Sequence, residues 1–229
     1  DIILDIGVHI GTFSYQALRR GSSNVYGFEA NRSNYECAVH NLQSFGDRVH
    51  LYHRAVWRSD DKTVETLYFT PSPDTPNTGG GNVVWGNEGP AVKTIALDDV
   101  IRDVTRGGKK RIRMIKIDCE GSEFSILMTS KLLHLVDVIA GEYHEFGGEY
   151  DKNLIPERAK VSGFERFTIV ELTDFLQRAG FQVTSERHPN TNLGLFHAVN
   201  QGNRVPRPAF LKTRIRSAWQ GLRRKLSSS

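Results

Sequence analysis

The sequence predicts an α/β domain built on a doubly wound, mostly parallel sheet that finishes with an antiparallel strand. Three observations carry that expectation. The chain opens on an apolar run, residues 2–4, that passes through Asp5 into a glycine turn and then an amphipathic segment. Strand-like runs then alternate with helical segments over most of the length, as βαβ units require. Finally, the runs 181–185 and 193–199 follow one another with no helix between them, so they must lie antiparallel.

Residues 2–4 have the composition of a strand buried on both faces, and residues 12–20 form the first helix. Between them stands Asp5-Ile-Gly7-Val-His9-Ile-Gly11. Dinucleotide sites hold a pyrophosphate with G-x-G-x-x-G, and P-loops add a lysine. Here the spacing is D-x-G-x-x-x-G, that lysine is missing, and a carboxylate precedes the turn where it would repel phosphate. The stretch suits a ligand with a cationic end and no phosphates, such as S-adenosylmethionine, approached closely where side chains are missing at Gly7 and Gly11. The plain alternative is an ordinary tight βα turn.

The second strand, 24–28, closes on Glu29, about 20 positions past the turn, where such folds place a carboxylate for ribose hydroxyls. Its two acceptor oxygens match the two donors of a vicinal diol. The alternative is an exposed strand end. Asn31 or Ser33 caps a helix running to about Phe45, and Gly46-Asp47 leads into a third strand, 49–53. Residues 54–56 end that strand, with the backbone at Ala55 bordering the adenine side of a nucleotide pocket.

From Trp57 to Pro90 the pattern weakens. Residues 63–70 read as a half-exposed strand running into a loop rich in Pro, Asn and Gly. Loops of this length are functional or disordered. The reading is a substrate-side loop over 71–90 with Trp85 as an acceptor contact, set against a solvated insertion with no role. Residues 92–97 give another strand, Asp98-Asp99 open a short helix, and 106–111 form a polar link.

The second informative stretch is Met114-Ile-Lys116-Ile-Asp118-Cys-Glu120-Gly121-Ser-Glu123. Ile115 and Ile117 belong to a central strand, Asp118 stands at its carboxyl end, and Glu120 lies in the following turn. Ser122 caps a helix whose first turn holds Glu123. Asp118 and Glu120 are candidates for chemistry or for holding an acceptor, whereas capping suffices for Glu123. The strand 136–143 ends beside Glu142 and His144, and a histidine among carboxylates is a reasonable general base. A structural histidine is the alternative. Asp118, Glu120, Glu142 and His144 lack metal-ligand spacing, so no metal is expected. Residues 168–179 form an amphipathic helix ended by Gly180.

The bulk numbers fit this picture. A chain of 229 residues, 38% hydrophobic and 24% charged, supports one α/β domain with a full core. No apolar run approaches the roughly 20 residues that span a bilayer. No secretory signal is visible, and an opening directly on a core strand suggests that upstream residues have been trimmed. Cys37 and Cys119 are expected as buried free thiols in a reducing, cytoplasmic compartment.

The net charge of +4 is uneven, because residues 201–229 hold eight Lys or Arg and no acid. The body is therefore slightly acidic, and no nucleic-acid partner is expected. In the tail, Leu211, Ile215, Trp219, Leu222 and Leu226 form a stripe flanked by basic residues. A basic amphipathic helix over 209–227 would lie on an anionic membrane surface. A helix packed on the body and a disordered tail are the alternatives. The expected division is a domain over 1–200 and a tail over 201–229, and nothing in the pattern specifies an oligomer.

Taken together, Asp5-Ile-Gly7-Val-His9-Ile-Gly11, Phe28-Glu29-Ala-Asn and Ile115-Lys116-Ile-Asp118-Cys-Glu120-Gly121-Ser-Glu123 resemble the class I, S-adenosylmethionine-dependent methyltransferases of the FkbM type. Leu97-Asp98-Asp99 and Glu142-Tyr-His144 are similar as well, and coverage runs from Asp1 to about Val199. K-I-D-x-E-G-x-E is the most family-specific of these. The resemblance implies a seven-stranded Rossmann-like sheet and O-methylation of a hydroxyl on a small-molecule or glycan acceptor: a sugar, glycolipid or polyketide-like compound. It places the methyl donor S-adenosyl-L-methionine on Asp5, Gly7, His9, Gly11, Glu29, Ala55 and Asp118. Asp118 or His144 is then the base, with Glu120 and Glu142 orienting. Relatives carry Ala-Asn where this chain has Val8-His9, and a histidine there can still donate to the donor's carboxylate, with altered affinity. A nicotinamide oxidoreductase is disfavoured by the absent G-x-G-x-x-G and by the antiparallel ending. A non-catalytic donor-binding relic serving as an interaction module is the other alternative.

Overall fold

Strand β1 (Ile2–Ile6) is buried along its whole length, and its alternation defines two faces of the central sheet. Ile2, Leu4 and Ile6 join the larger apolar core. Ile3 packs with Leu18, Val25 and Leu42 on the other face, under α1 (Thr12–Arg19) and α2 (Arg32–Leu42). The computed structural model describes residues 1–71 and 78–202. The tip of the 71–90 loop and the proposed amphipathic helix over 209–227 lie outside the described residues.

The remaining main-sheet strands are β2 (Asn24–Glu29), β3 (Val49–His53), β7 (Ile112–Ile117), β8 (Val138–His144), β9 (Phe181–Arg187) and β10 (Leu193–Asn200). They assemble in the order β3-β2-β1-β7-β8-β10-β9. The first five run parallel, and β10 is antiparallel to both of its neighbours. The chain lays β2 and β3 to one side of β1, then returns to lay β7 on the other. The order therefore reverses between β1 and β7, and open α/β sheets bind ligands outside the strand ends at that crevice. Helix α4 (Glu123–Met128) follows β7, and α5 (Ile169–Arg178) lies against β9.

Residues 54–96 depart from the expected pattern. Rather than ending the third strand, 55–57 form a separate strand, β4 (Ala55–Trp57), in a three-stranded sheet of order β4-β6-β5. The ladder breaks at Arg54, whose N–H bonds the Tyr52 carbonyl. The predicted strand over 63–70 shortens to β5 (Thr66–Tyr68), and β6 (Ala91–Ala96) belongs to this small sheet. It leads directly into α3 (Leu97–Val104). Trp57, expected in a weakly ordered stretch, is buried to 1% exposure.

Two local expectations need correction. Asn31 caps α2 by accepting from Ser33 and Asn34, but the helix stops at Leu42 and a 3₁₀ segment carries the chain to Arg48. The cysteines are not both buried: Cys37 is exposed and Cys119 partly covered. No helix among the described residues is long and apolar enough to cross a membrane.

Candidate active site

The site is built where β1 and β7 end side by side. Register pairs Asp5 with Lys116, and the sheet buries both. Asp5 is fully buried and accepts from the Ser14 hydroxyl of α1 at 2.6 Å. Lys116 Nζ donates to the Gly7 carbonyl at 2.5 Å and lies 3.5 Å from Asp5 Oδ1 and 3.9 Å from Asp118 Oδ2. Burial pushes the Asp5 carboxyl up, against the opposing pull of the Lys116 charge.

Gly7 has φ +80°, and a Cβ there would stand 1.8 Å from the Asp118 carbonyl oxygen. The glycine is needed so that the β1 turn can lie against the β7 turn, a close approach of backbone to backbone. At Gly11 the Cβ would meet the Leu42 side chain at 2.9 Å. Both glycines thus make room for protein neighbours, and Gly7 lines the adjoining cavity as well.

Beyond Gly7, the turn is braced by β2. The Gly7 and Val8 N–H groups both donate to the Phe28 carbonyl. Glu29 accepts from the His9 N–H at 2.7 Å through Oε2 and from the Asn31 N–H at 2.8 Å through Oε1. Burial raises this carboxyl, and the two N–H bonds draw it back down. His9 itself is left-handed, at φ +54°. Its Nε2 pairs with Thr78 Oγ1 at 2.8 Å, while Asn34 Nδ2 donates to the Thr78 carbonyl. Burial first, then the Lys116 charge, lowers the His9 imidazole below the ordinary histidine range, which keeps it neutral at pH 7.

The β7 turn holds the carboxylates. Asp118 N–H donates to the Ile6 carbonyl, and Asp118 Oδ1 is buried without a hydrogen-bond partner. Glu120 is left-handed at φ +54°, followed by Gly121 at φ +100°. Such strain costs about 1–3 kcal/mol per non-glycine residue and collects at functional sites. Here it falls on His9 and Glu120, one in each turn. Glu123 is fully buried and accepts from the Cys119 and Gly121 N–H groups. It ties the turn together from within, which goes beyond the capping expected of it. Ser122 does not cap α4: its side chain makes no cap bond, and its hydroxyl is buried and unpartnered.

At the end of β8, His144 Nε2 lies 3.2 Å from Glu120 Oε2. Its Nδ1 lies 3.4 Å from Glu123 Oε1 without the alignment of a hydrogen bond. Burial opposes charge on this ring, but Glu123 and Glu120 outweigh it and hold it well above the usual histidine range. Its surroundings thus favour the charged form of the ring. Glu142 lies one step past the ladder pair Ile117–Gly141, alongside Asp118. Its carboxyl is pushed up to about 7, first by burial and then by the Asp118 charge.

One cavity joins these pieces. Gly7, His9, Glu29, Ala55, Asp118 and Glu120 line it, so most of the residues singled out from the sequence come together. Asp5 lies beneath it, behind Lys116, and Gly11 stands outside, against α2. Glu142 and His144 flank it on the β8 side. The sequence reading gave no ligand role to Lys116, Ser122, Asn34 or Thr78, which also line the cavity. Lys116 did carry a signal, since a lysine inside an apolar parallel strand must meet an anion. Thr78 carried none, because the contact spans the loop.

The cavity fits a nucleoside with a cationic end. Around it three acids, Glu29, Asp118 and Glu120, outnumber two cations, Lys116 and Arg54, a balance that disfavours phosphate and suits a sulfonium. Two buried polar atoms on its wall, Asp118 Oδ1 and Ser122 Oγ, have no protein partner, and such atoms are costly unless something binds them.

A family profile described as "Methyltransferase FkbM domain" matches residues 5–183. No curated protein matches the chain significantly. Among solved structures, an rRNA methylase from Streptococcus thermophilus is similar at 11% identity and TM-score 0.47, covering 87% of this chain and 86% of that one. TrmK of M. capricolum, bound to S-adenosyl-homocysteine, is similar at 10% identity and TM-score 0.44, over 87% and 62% of the two chains. A SAM-dependent methyltransferase from Aquifex aeolicus is similar at 15% identity and TM-score 0.42, over 86% and 81%. The expectation of no nucleic-acid partner is corrected here: an rRNA methylase stands among the solved structures to which the chain is similar.

Proposed function

The chain belongs to the FkbM methyltransferase family, an S-adenosylmethionine-dependent group, and from that premise we propose that its cavity supports O-methylation of a hydroxyl on a sugar, glycolipid or polyketide-like acceptor. We place the catalytic domain within residues 1–200. The observation that carries the reading is the Asp118 side chain, one-third exposed at the β1/β7 crevice and lining the same cavity as Glu29.

The donor would be held at its ribose by Glu29, whose orientation the His9 and Asn31 N–H groups fix. Backbone at Gly7 and Ala55 borders it, with Lys116 beneath. When bound, the donor supplies a methyl group on a cationic sulfur. Nothing in such a displacement calls for a strong electrophile. Alignment of the acceptor oxygen can contribute up to roughly 7–11 kcal/mol, and a base taking the hydroxyl proton adds about 10²–10⁴-fold.

Asp118 is the base in this proposal, taking the acceptor proton on its partly exposed carboxylate. His144 serves as a fixed cation that holds Glu120 through the 3.2 Å contact, and Glu142 sets the charge beside Asp118. Asp118→Asn is the test. Turnover should fall by about 10²–10⁴, with S-adenosylhomocysteine affinity within a few-fold of the parent in calorimetry. Turnover retained within threefold would reject Asp118 as the base. Absence of donor affinity in the parent protein would reject the activity itself.

A further inference from the structure

Residues 78–84 run from the β1 turn to the β7 turn. At one end the Thr78 hydroxyl pairs with His9 Nε2 at 2.8 Å, and the Thr78 carbonyl accepts from Asn34 Nδ2 at 2.9 Å. His9 also donates its own N–H to Glu29, so one residue holds both the carboxylate assigned to the ribose and the Thr78 contact. At the other end Val84 is buried against the β7 turn, where a Cβ on Gly121 would stand 3.9 Å from Val84 Cγ2. Between these ends Thr78, Gly79, Gly81, Asn82 and Val83 line the same cavity as Glu29 and Asp118.

The two ends are held by different forces. Val83 and Val84 are buried, and Asn82 exchanges backbone bonds with Thr70 at 2.7 and 2.9 Å. Asn82 Oδ1 accepts further from the Val84 and Trp85 N–H groups at 3.1 and 3.3 Å. Moving that end would expose apolar surface and break a bridge. Thr78, in contrast, is exposed and held by the polar bonds to His9 and Asn34. Such bonds are worth little net, because water replaces them once they break. Three successive glycines, Gly79 to Gly81, join the two ends. A buried root, a glycine arm and an exposed tip on two hydrogen bonds can open at the tip while the root stays seated.

We propose that residues 78–84 form a strap over the bound donor, latched at Thr78 by His9 and Asn34, and that release of this latch sets how fast the donor and its demethylated product exchange. The proposal rests on the donor reading above, and its test separates the two. Thr78→Val keeps the shape of the side chain and removes the hydroxyl. His9→Asn shortens the side chain, keeps the N–H that Glu29 accepts, and suits the left-handed backbone at φ +54°. A latch of equal strength in the free and the bound protein gates passage both ways and leaves the balance between them unchanged. Stopped-flow binding of S-adenosylhomocysteine should therefore show association and dissociation both about fivefold faster in either variant, with affinity within about twofold of the parent. The double variant should match the single ones, since both remove the same contact. A Thr78 contact that only added affinity would speed dissociation and leave association unchanged. That result overturns the strap, as do unchanged rates in Thr78→Val or effects that multiply in the double variant. A parent protein that binds no S-adenosylhomocysteine overturns the donor reading, and this proposal with it.

Discussion

Lys116→Met gives the sharpest test of how the two turns are held. Methionine keeps the stem and removes the charge. Asp5, fully buried, would lose the cation 3.5 Å from Oδ1 and retain only the Ser14 hydroxyl at 2.6 Å. Removing one partner of a buried pair costs about 3–5 kcal/mol, because the remaining charge is left uncompensated. The Gly7 carbonyl also loses its 2.5 Å donor, a further contribution of about 1 kcal/mol. Against a typical stability of about 5–15 kcal/mol, this is a large fraction.

The loss should also depend on pH, in a direction that burial dictates. The Asp5 carboxyl is already raised in the fold, and without Lys116 it rises further. Between its unfolded value of about 3.8 and that raised value, the folded state binds more protons than the unfolded one, so stability falls as pH rises. Urea denaturation should therefore show a larger deficit at pH 7.5 than at pH 5. Adding Asp5→Asn should recover part of the loss, since the orphaned charge is gone. A deficit below about 1 kcal/mol at pH 7.5, or one equal at both pH values, would refute the argument.

Two further variants probe the cavity directly. Glu29→Gln turns an amide N–H₂ toward the His9 or Asn31 N–H and withdraws an acceptor from the donor's ribose. Calorimetry should register about a 10–100-fold loss of S-adenosylhomocysteine affinity, and unchanged affinity would remove the ribose role. Glu142 titrates at about 7, so its charge beside Asp118 grows across neutrality. Turnover of the parent should climb between pH 6 and 8, and in Glu142→Gln that climb should flatten. The same variant should be more stable than the parent at pH 8 but not at pH 4, because a carboxyl raised by burial disfavours the fold once it must ionise. A rise that persists unaltered in the variant would assign the titration to another group.

Much of the site was legible along the chain. Asp5, Gly7, Glu29 and Asp118 each stand at the end of a strand announced by its own apolar run, and turn chemistry is local. The reading of Ser122 as a cap failed because Glu123, the next residue, competes for the same N–H groups and wins with a charge. That Glu120 and Glu123 approach His144 from the neighbouring strand end and favour its charged form could not be read along the chain. The separate sheet of β4, β5 and β6 was missed because β4, three residues long, carries too little alternation to be told from the end of β3.

By itself, then, the sequence determined the alternation of strands and helices, the two carboxylate-bearing turns and the antiparallel ending, all of which follow from periodicity and neighbouring residues. Only the tertiary structure decided that Gly7 yields to Asp118, that Lys116 sits between two acids, and which carboxylates and imidazole carry a proton. Those outcomes depend on groups as far apart along the chain as Gly7 and Asp118 meeting in a buried space. Electrostatic and steric terms there follow distance through space, which separation along the chain does not encode.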